Sequence, residues 1–183
     1  MDYQILVNKD NSLDKDYIPK NLVLSNSIYK DGIMVDKLVL EAFNKMKEEA
    51  KKYNYEIDIM SGYRSYSYQD KLFNNLVNEK GFNYAYNYIA KAGTSEHQTG
   101  LAIDFVIYKD DKCYIEHDVE GLNETLWIHQ NAHKYGFIVR YPKDKEEITK
   151  YNYEPWHLRY VGNIANSLYN NDLTLEEYKK RIQ

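Results

Sequence analysis

Cysteine is nearly absent. One residue, Cys113, in a chain of 183 leaves no possibility of an intramolecular disulfide, so stability has to come from a packed core. A chain of this length can bury such a core as one domain. Long apolar runs are also missing: no window approaches the ~18 apolar residues of a membrane span. The start, MDYQILVNKDNS, lacks a basic segment followed by an apolar one, so no signal peptide is expected. As it stands the sequence suits the cytoplasm; a trimmed one would suit an extracytoplasmic place equally. There is no concentrated basic charge: Lys+Arg is 24 against 28 Asp+Glu, net −4, with the basic residues scattered. That speaks against a nucleic-acid or anionic-membrane surface. Repeats, linkers and low-complexity segments are absent too. What the chain has in quantity is tyrosine, 20 residues, a side chain suited to peptide or carbohydrate clefts, although compositional drift toward Tyr, Asn and Lys is the plainer reading.

The hydrophobic pattern mixes helices and strands without regular βαβ alternation, which predicts an α+β fold. Residues 1–33 read as a wrapping arm with one short strand, belonging to the same domain as residues 34–183. After Asp36, a candidate N-cap, Leu38, Ala42, Phe43, Met46, Ala50 and Tyr53 share one helical face. YEIDIMSG alternates as a strand, with Ile57 and Ile59 on one side and Glu56 and Asp58 on the other. Two helices are expected to end at Gly81 and Gly93, with Leu72, Phe73, Leu76 and Val77 on the apolar face of the first and Tyr84, Ala85, Tyr88 and Ile89 on that of the second. LAIDFVIY is a strand, Asn123 a candidate cap for a third helix ending at Gly136, and FIVRY and HLRYVG are strands. Thr174 and Glu177 form a capping-box pattern for a last helix.

Three stretches could carry chemistry. TSEHQTGLAIDF places Asp104 inside an apolar strand, seven positions after His97. A carboxylate there is costly unless its charge is paired, by a basic side chain or by a metal. Imidazole and carboxylate are ordinary zinc ligands, and a catalytic zinc takes three protein ligands. The second stretch, NYEPWHLRYVG, puts Glu154 three before His157. Strand geometry would send the two to opposite faces, but a kink at Pro155 could turn both into one cavity. The alternative is a surface turn with a packed Trp156. The third, MSGYRSYSYQ, sets Arg64 after a strand and at a helix start, where its planar fork and the helix N-terminus suit an anion; a surface arginine is the plainer reading. HQNAH holds His129 and His133 one helical turn apart, but Gln130 stands where HExxH zinc peptidases have their glutamate, so a solvent-facing pair is expected. His117 reads as exposed. Cys113, in the acidic stretch DDKCYIE, is expected to have a raised thiol pKa rather than to be a nucleophile.

Taken together and in this order, SGYRSYSYQ, GTSEHQTGLAIDF and YGFIVRYP…ITKYNYEPWHLRYVG closely resemble the VanY/VanXY-like D-alanyl-D-alanine carboxypeptidases. These are zinc peptidases of the group that includes lysostaphin-type enzymes and the hedgehog fold. The likeness runs from LVNKDN to LTLEEY. It implies a small antiparallel sheet carrying the zinc site, with helices on one side. It implies one Zn2+ per chain on His97, Asp104 and His157, and Glu154 as catalytic base. Arg64, Gln69 and Ser95 would hold the C-terminal region of the peptide or stabilise the reacting carbonyl, with Trp156 also at the substrate. The implied substrate is a peptidoglycan stem peptide or precursor ending in D-Ala-D-Ala. A D,D-dipeptidase and an L,D-carboxypeptidase stay open within the class, with the loops at 108–122 and 142–151 expected to decide between them. A non-catalytic zinc-stabilised module that binds cell-wall peptide stays open outside it. The sequence departs from its relatives at Lys150, where they usually have glycine.

Overall fold

In the computed structural model, which describes residues 2–182, the arm supplies the first strand. Leu22–Leu24 (β1) pairs antiparallel with Met34–Asp36 (β2), Leu22 opposite Asp36. Asp36 ends that hairpin and starts Lys37–Lys51 (α1), its Oδ1 accepting from Leu38 N at 2.9 Å. The inward face of α1 is Val39, Phe43, Met46 and Ala50. Leu38 and Tyr53, expected inside, are 39% and 54% exposed, because the sheet takes the Val39 side of the helix.

Glu56–Ser61 (β3) follows. Ile57 and Ile59 are buried as expected, but so is Asp58, under the 25–33 loop, where Lys47 Nζ lies 3.1 Å away and Ile28 N donates to it. Tyr66–Lys80 (α2) starts on the Ser65 hydroxyl and ends at Gly81 (φ 88°). Of its expected apolar face only Phe73 is buried, together with Gln69. Phe82–Tyr88 (α3) stops five residues before Gly93, with Ile89 already extended, and buries only Ala85. Gly93 instead serves a turn (φ 84°) where a Cβ would meet Leu13 O at 2.9 Å.

Ala102–Lys109 (β4) is the central strand. It pairs antiparallel with β3, with Lys112–Tyr114 (β5) and with His157–Tyr160 (β7). Phe137–Val139 (β6) closes the far edge, giving the order β3-β4-β7-β6. Strand β4 carries Ile103, Phe105 and Ile107 into the core beside Phe43, Met46, Phe137 and Leu158. Truncating Phe43 to alanine there would cost about 3–5 kcal/mol. Asn123–Asn131 (α4) begins with Leu122, not Asn123, in the cap position, and no side chain caps it. Glu146–Thr149 (α5), Ala165–Asn170 (α6) and Leu175–Ile182 (α7) complete the chain, the last with the expected reciprocal cap: Thr174 N to Glu177 Oε2 at 2.8 Å and Glu177 N to Thr174 Oγ1 at 3.2 Å. The fold is α+β, a single domain with small antiparallel sheets.

A buried ionic cluster ties the ends of the chain to the sheet. Arg140 and Arg159, both fully buried, meet Glu96; Arg140 also takes Glu176 of α7 in a two-pronged contact at 2.9 and 2.7 Å. Asn8 donates to Glu176, and Arg159 donates to the carbonyls of Tyr3 and Ile5. Two carboxylates balance two guanidiniums, so the cluster is neutral. Removing one member would leave a buried charge unpaired, at about 3–5 kcal/mol.

Candidate metal and catalytic site

The site is a row across three strands. Asp104 of β4 lies opposite Ser61 of β3 on one side and His157 of β7 on the other. Residues opposite one another in a sheet project to the same face, so this register sets the three side chains side by side. His97 comes from a short 3₁₀ turn, Glu96–Thr99, closed by Gly100 in the left-handed region (φ 70°) just before β4. Gly100 has to be small as well: a Cβ there would lie 2.8 Å from Leu22 Cδ2.

The kink at Pro155 is a β-turn. His157 N donates to Glu154 O at 3.2 Å, with Pro155 and Trp156 in the middle positions. Proline at the second position suits such a turn, because its ring fixes φ near the required value. Glu154 and His157 thereby face one cavity, with Glu154 Oε2 3.5 Å from His157 Nδ1. His129 stands behind the turn: its Nε2–H donates to Pro155 O at 2.8 Å.

His97, Asp104 and His157 are all buried, and their candidate ligand atoms lie within 4.8 Å of one another. Hydrogen bonding decides which ring nitrogens face inward. Gly62 O, which can only accept, sits 2.6 Å from His97 Nδ1, so that nitrogen carries the proton. His97 Nε2 then presents a lone pair to Asp104 Oδ2 at 3.2 Å. On the other side His157 Nδ1 lies 3.0 Å from Asp104 Oδ1. A lone pair set against a carboxylate calls for a cation between them, and two nitrogens with one carboxylate oxygen is a donor set zinc accepts. The residues present therefore suit a divalent metal. Arg64 completes the neighbourhood: one guanidinium nitrogen donates both to Asp104 Oδ2 at 2.7 Å and to Ser61 Oγ at 3.0 Å.

The titrations follow the same geometry. Burial pushes the His97 pKa down and the Arg64 charge adds to it, against the opposing pull of Asp104. Burial works against the Asp104 carboxylate, but His97, His157 and Arg64 outweigh it and hold Asp104 well below the usual range. Burial would also push His157 down, yet Asp104 and Glu96 raise it to about 9. Glu154 is raised to about 7, mainly by burial and further by Asp104, against the opposing pull of His157.

A cleft of about 500 Å³ opens onto this row. It brings together the residues expected at the metal and substrate: Arg64, Gln69, Ser95, His97, Asp104, Glu154, Trp156 and His157. Gln69 is buried, its Nε2 donating to Ala90 O at 2.8 Å, with its Oε1 unpartnered. The two expected loops reach the cleft through Glu116 and Tyr151. Lys150 is exposed and lines a neighbouring hollow that shares Tyr151 with the cleft; its φ of 64° explains why glycine suits the position. HQNAH contributes no metal cluster among the described residues, but neither of its histidines is simply solvent-facing. His129 braces the Glu154 turn, and His133 stacks on Tyr169 with ring centroids 3.7 Å apart. His117 is exposed and packs edge-on against Trp156. The Cys113 thiol is raised, but by partial burial rather than by its acidic neighbours. Sequence reasoning missed Ser61, Glu96, Tyr141, Tyr151 and the arm residues Tyr29 and Lys30, all of which line the cleft. Only Glu96 carried a signal, as the residue immediately before the candidate ligand His97.

Residues 32–163 match the family described as D-alanyl-D-alanine carboxypeptidase, VanY. The chain belongs to the VanY family. It is 42% identical to the putative carboxypeptidase YodJ of Bacillus subtilis (strain 168) over 97% of this chain and 67% of that one. Among solved structures it is similar to the LdcB LD-carboxypeptidase, at 43% identity and a TM-score of 0.90, covering 97% of this chain and 86% of that one. It is also similar to a point mutant of the vancomycin-resistance D,D-pentapeptidase VanY from a VanB-type resistance cassette, solved in complex with Zn(II), at 32% identity and a TM-score of 0.82, covering 97% and 98%. As a VanY-family peptidase the chain is an enzyme of the hydrolase class. No helix among the described residues is long and apolar enough to cross a membrane.

Proposed function

We propose that this VanY-family peptidase is a zinc-dependent D,D-carboxypeptidase that removes the terminal D-alanine from peptidoglycan stem peptides ending in D-Ala-D-Ala. His97 Nε2, an Asp104 carboxylate oxygen and His157 Nδ1 would hold one zinc ion. The observation that carries the reading is the Glu154–His157 turn, which sets a half-buried carboxylate 3.5 Å from a nitrogen of the candidate metal cluster. A module that only bound peptide would have no use for that carboxylate.

Zinc, when bound, would polarise the scissile carbonyl and lower the pKa of a water toward about 7. Glu154 takes the proton of the attacking water and passes it to the leaving nitrogen of D-alanine. A carboxyl raised to about 7 can accept and return a proton near neutral pH. Arg64 keeps Asp104 ionised and adds positive charge where the oxyanion develops. Gln69, Ser95 and Trp156 line the cleft that would receive the peptide's C-terminal end.

A second reading is favoured by one observation, the 43% identity to the LdcB LD-carboxypeptidase: the same machinery would then act on a tetrapeptide ending in a single D-Ala. Mass spectrometry of products separates the two. Zinc-loaded protein and its Glu154→Ala variant are mixed with stem pentapeptide, tetrapeptide and free D-Ala-D-Ala. One D-Ala released from the pentapeptide, and not by the variant, supports the D,D reading. Cleavage confined to the tetrapeptide moves it to L,D, and cleavage confined to the dipeptide to D,D-dipeptidase. No cleavage of any, with zinc bound, leaves a binding module.

A further inference from the structure

Two orphaned atoms face each other beneath the site. Glu96 Oε2 and His157 Nε2 are both buried and have no hydrogen-bond partner, and they lie 3.6 Å apart. The other oxygen of Glu96 is fully engaged: Oε1 accepts from Arg140 Nε at 2.7 Å and from Arg159 Nη1 at 2.5 Å. Those guanidiniums are themselves fixed, Arg140 by Glu176 and Arg159 by the arm carbonyls of Tyr3 and Ile5. Glu96 therefore cannot turn away from His157 without breaking the buried cluster, and its free oxygen can only accept.

We propose that Glu96 is the positioning carboxylate of His157, its free oxygen facing the Nε2–H as acceptor and so keeping the proton on Nε2 and the Nδ1 lone pair toward Asp104 and the metal. The inference rests on the metal-site reading given above. It makes the two histidines opposites: His97 is protonated at Nδ1 by its bond to Gly62 O and offers Nε2, whereas His157 is protonated at Nε2 and offers Nδ1. Ring orientation and tautomer on a metal-binding histidine are commonly set by such a partner, whose loss weakens metal binding about 10- to 100-fold. It also gives the buried ionic cluster a purpose. The cluster joins the arm, α7 and the strands to the back of one ligand, so the ends of the chain bear on the geometry of the site.

The test has two parts. In nitrogen-15 histidine NMR of the wild-type chain titrated with zinc, one ring should respond at Nε2 and the other, His157, at Nδ1, with the opposite nitrogen of each staying protonated. If both rings respond at Nε2, the proposal is overturned while the metal site stands. If neither ring responds, the metal-site reading fails first and the proposal with it. In Glu96→Gln the amide can still accept from the arginines, but its NH2 would point at His157 Nε2 and require that nitrogen to accept, placing the proton on Nδ1. Zinc affinity by chelator competition should fall about 10- to 100-fold, with the His157 signature lost and that of His97 kept. Unchanged affinity in a folded variant overturns the proposal. Should that variant not fold, the wild-type NMR pattern alone decides.

Discussion

Alanine at Gly62 would put a methyl group where two strands and the site meet. Its Cβ would lie 2.3 Å from Met34 O and 2.7 Å from Val35 Cγ1, so β2 would have to retreat by about 1 Å to reach ordinary contact. The obstacle is backbone and a buried valine, which cannot swing aside. Overpacking of this kind costs about 1–3 kcal/mol. The Tyr63 N to Met34 O hydrogen bond, at 2.6 Å, would stretch or break, adding about 0.5–1.5 kcal/mol. A total of about 2–4 kcal/mol corresponds to a melting temperature lower by about 5–15 °C for a domain of this size. The Gly62 carbonyl also holds His97 Nδ1, so its displacement should weaken zinc binding about 10-fold or more. Calorimetry of the metal-free protein gives the first effect and chelator competition the second. A Gly62→Ala variant that melts within about 2 °C of wild type and binds zinc equally well would refute the reasoning.

Three further outcomes follow from other parts of the chain. Burial holds His129 below its usual value near 6.5, against the partial upward pull of its bond to Pro155 O. A depressed folded-state pKa means that the stability contributed by the neutral ring is present above about 6.5 and is lost as pH falls through the folded value. His129→Phe, which leaves Pro155 O unpartnered, should therefore cost about 1–3 kcal/mol in urea unfolding at pH 7.5, and the deficit should shrink at pH 5.5; a constant deficit would contradict the assignment. Thr174→Ala removes one half of the α7 cap and should lower stability by about 1 kcal/mol at unchanged m-value. Lys150→Gly, at φ 64°, should stabilise by up to about 1 kcal/mol without altering turnover, and a loss of stability would show that its side chain matters.

The parts of the site that were legible in the sequence are those set by short-range chemistry. Pro155 announces a turn, and that turn brings Glu154 and His157 together. Asp104 in an apolar strand announces a charge partner, and Arg64, 2.7 Å from its Oδ2, is one. Asp36 and the Thr174–Glu177 pair announce helix starts. What could not be read depends on distant partners. Glu96 meets arginines 44 and 63 residues away, and nothing in the local pattern of FIVRY or HLRY says that those charges are buried together. Alternation puts Asp58 on the outer side of its strand, because it cannot register the loop folded over it. The early end of α3 is not legible because Gly93 looks like a helix stop, whereas its glycine is required by the close approach of Leu13 O.

The most direct test of the central claim, that three residues hold the metal while Glu154 moves the proton, is metal content measured beside turnover. Wild type, Asp104→Ala and Glu154→Ala are purified, loaded with zinc, freed of excess and analysed by mass spectrometry of the metal, with D-alanine release assayed on the same samples. The account predicts about one zinc per chain in wild type and in Glu154→Ala, little in Asp104→Ala, and turnover down by about 10²–10⁴ in Glu154→Ala, the typical contribution of a positioned acid–base group. Full zinc in Asp104→Ala, or near-wild-type turnover in Glu154→Ala, would contradict it.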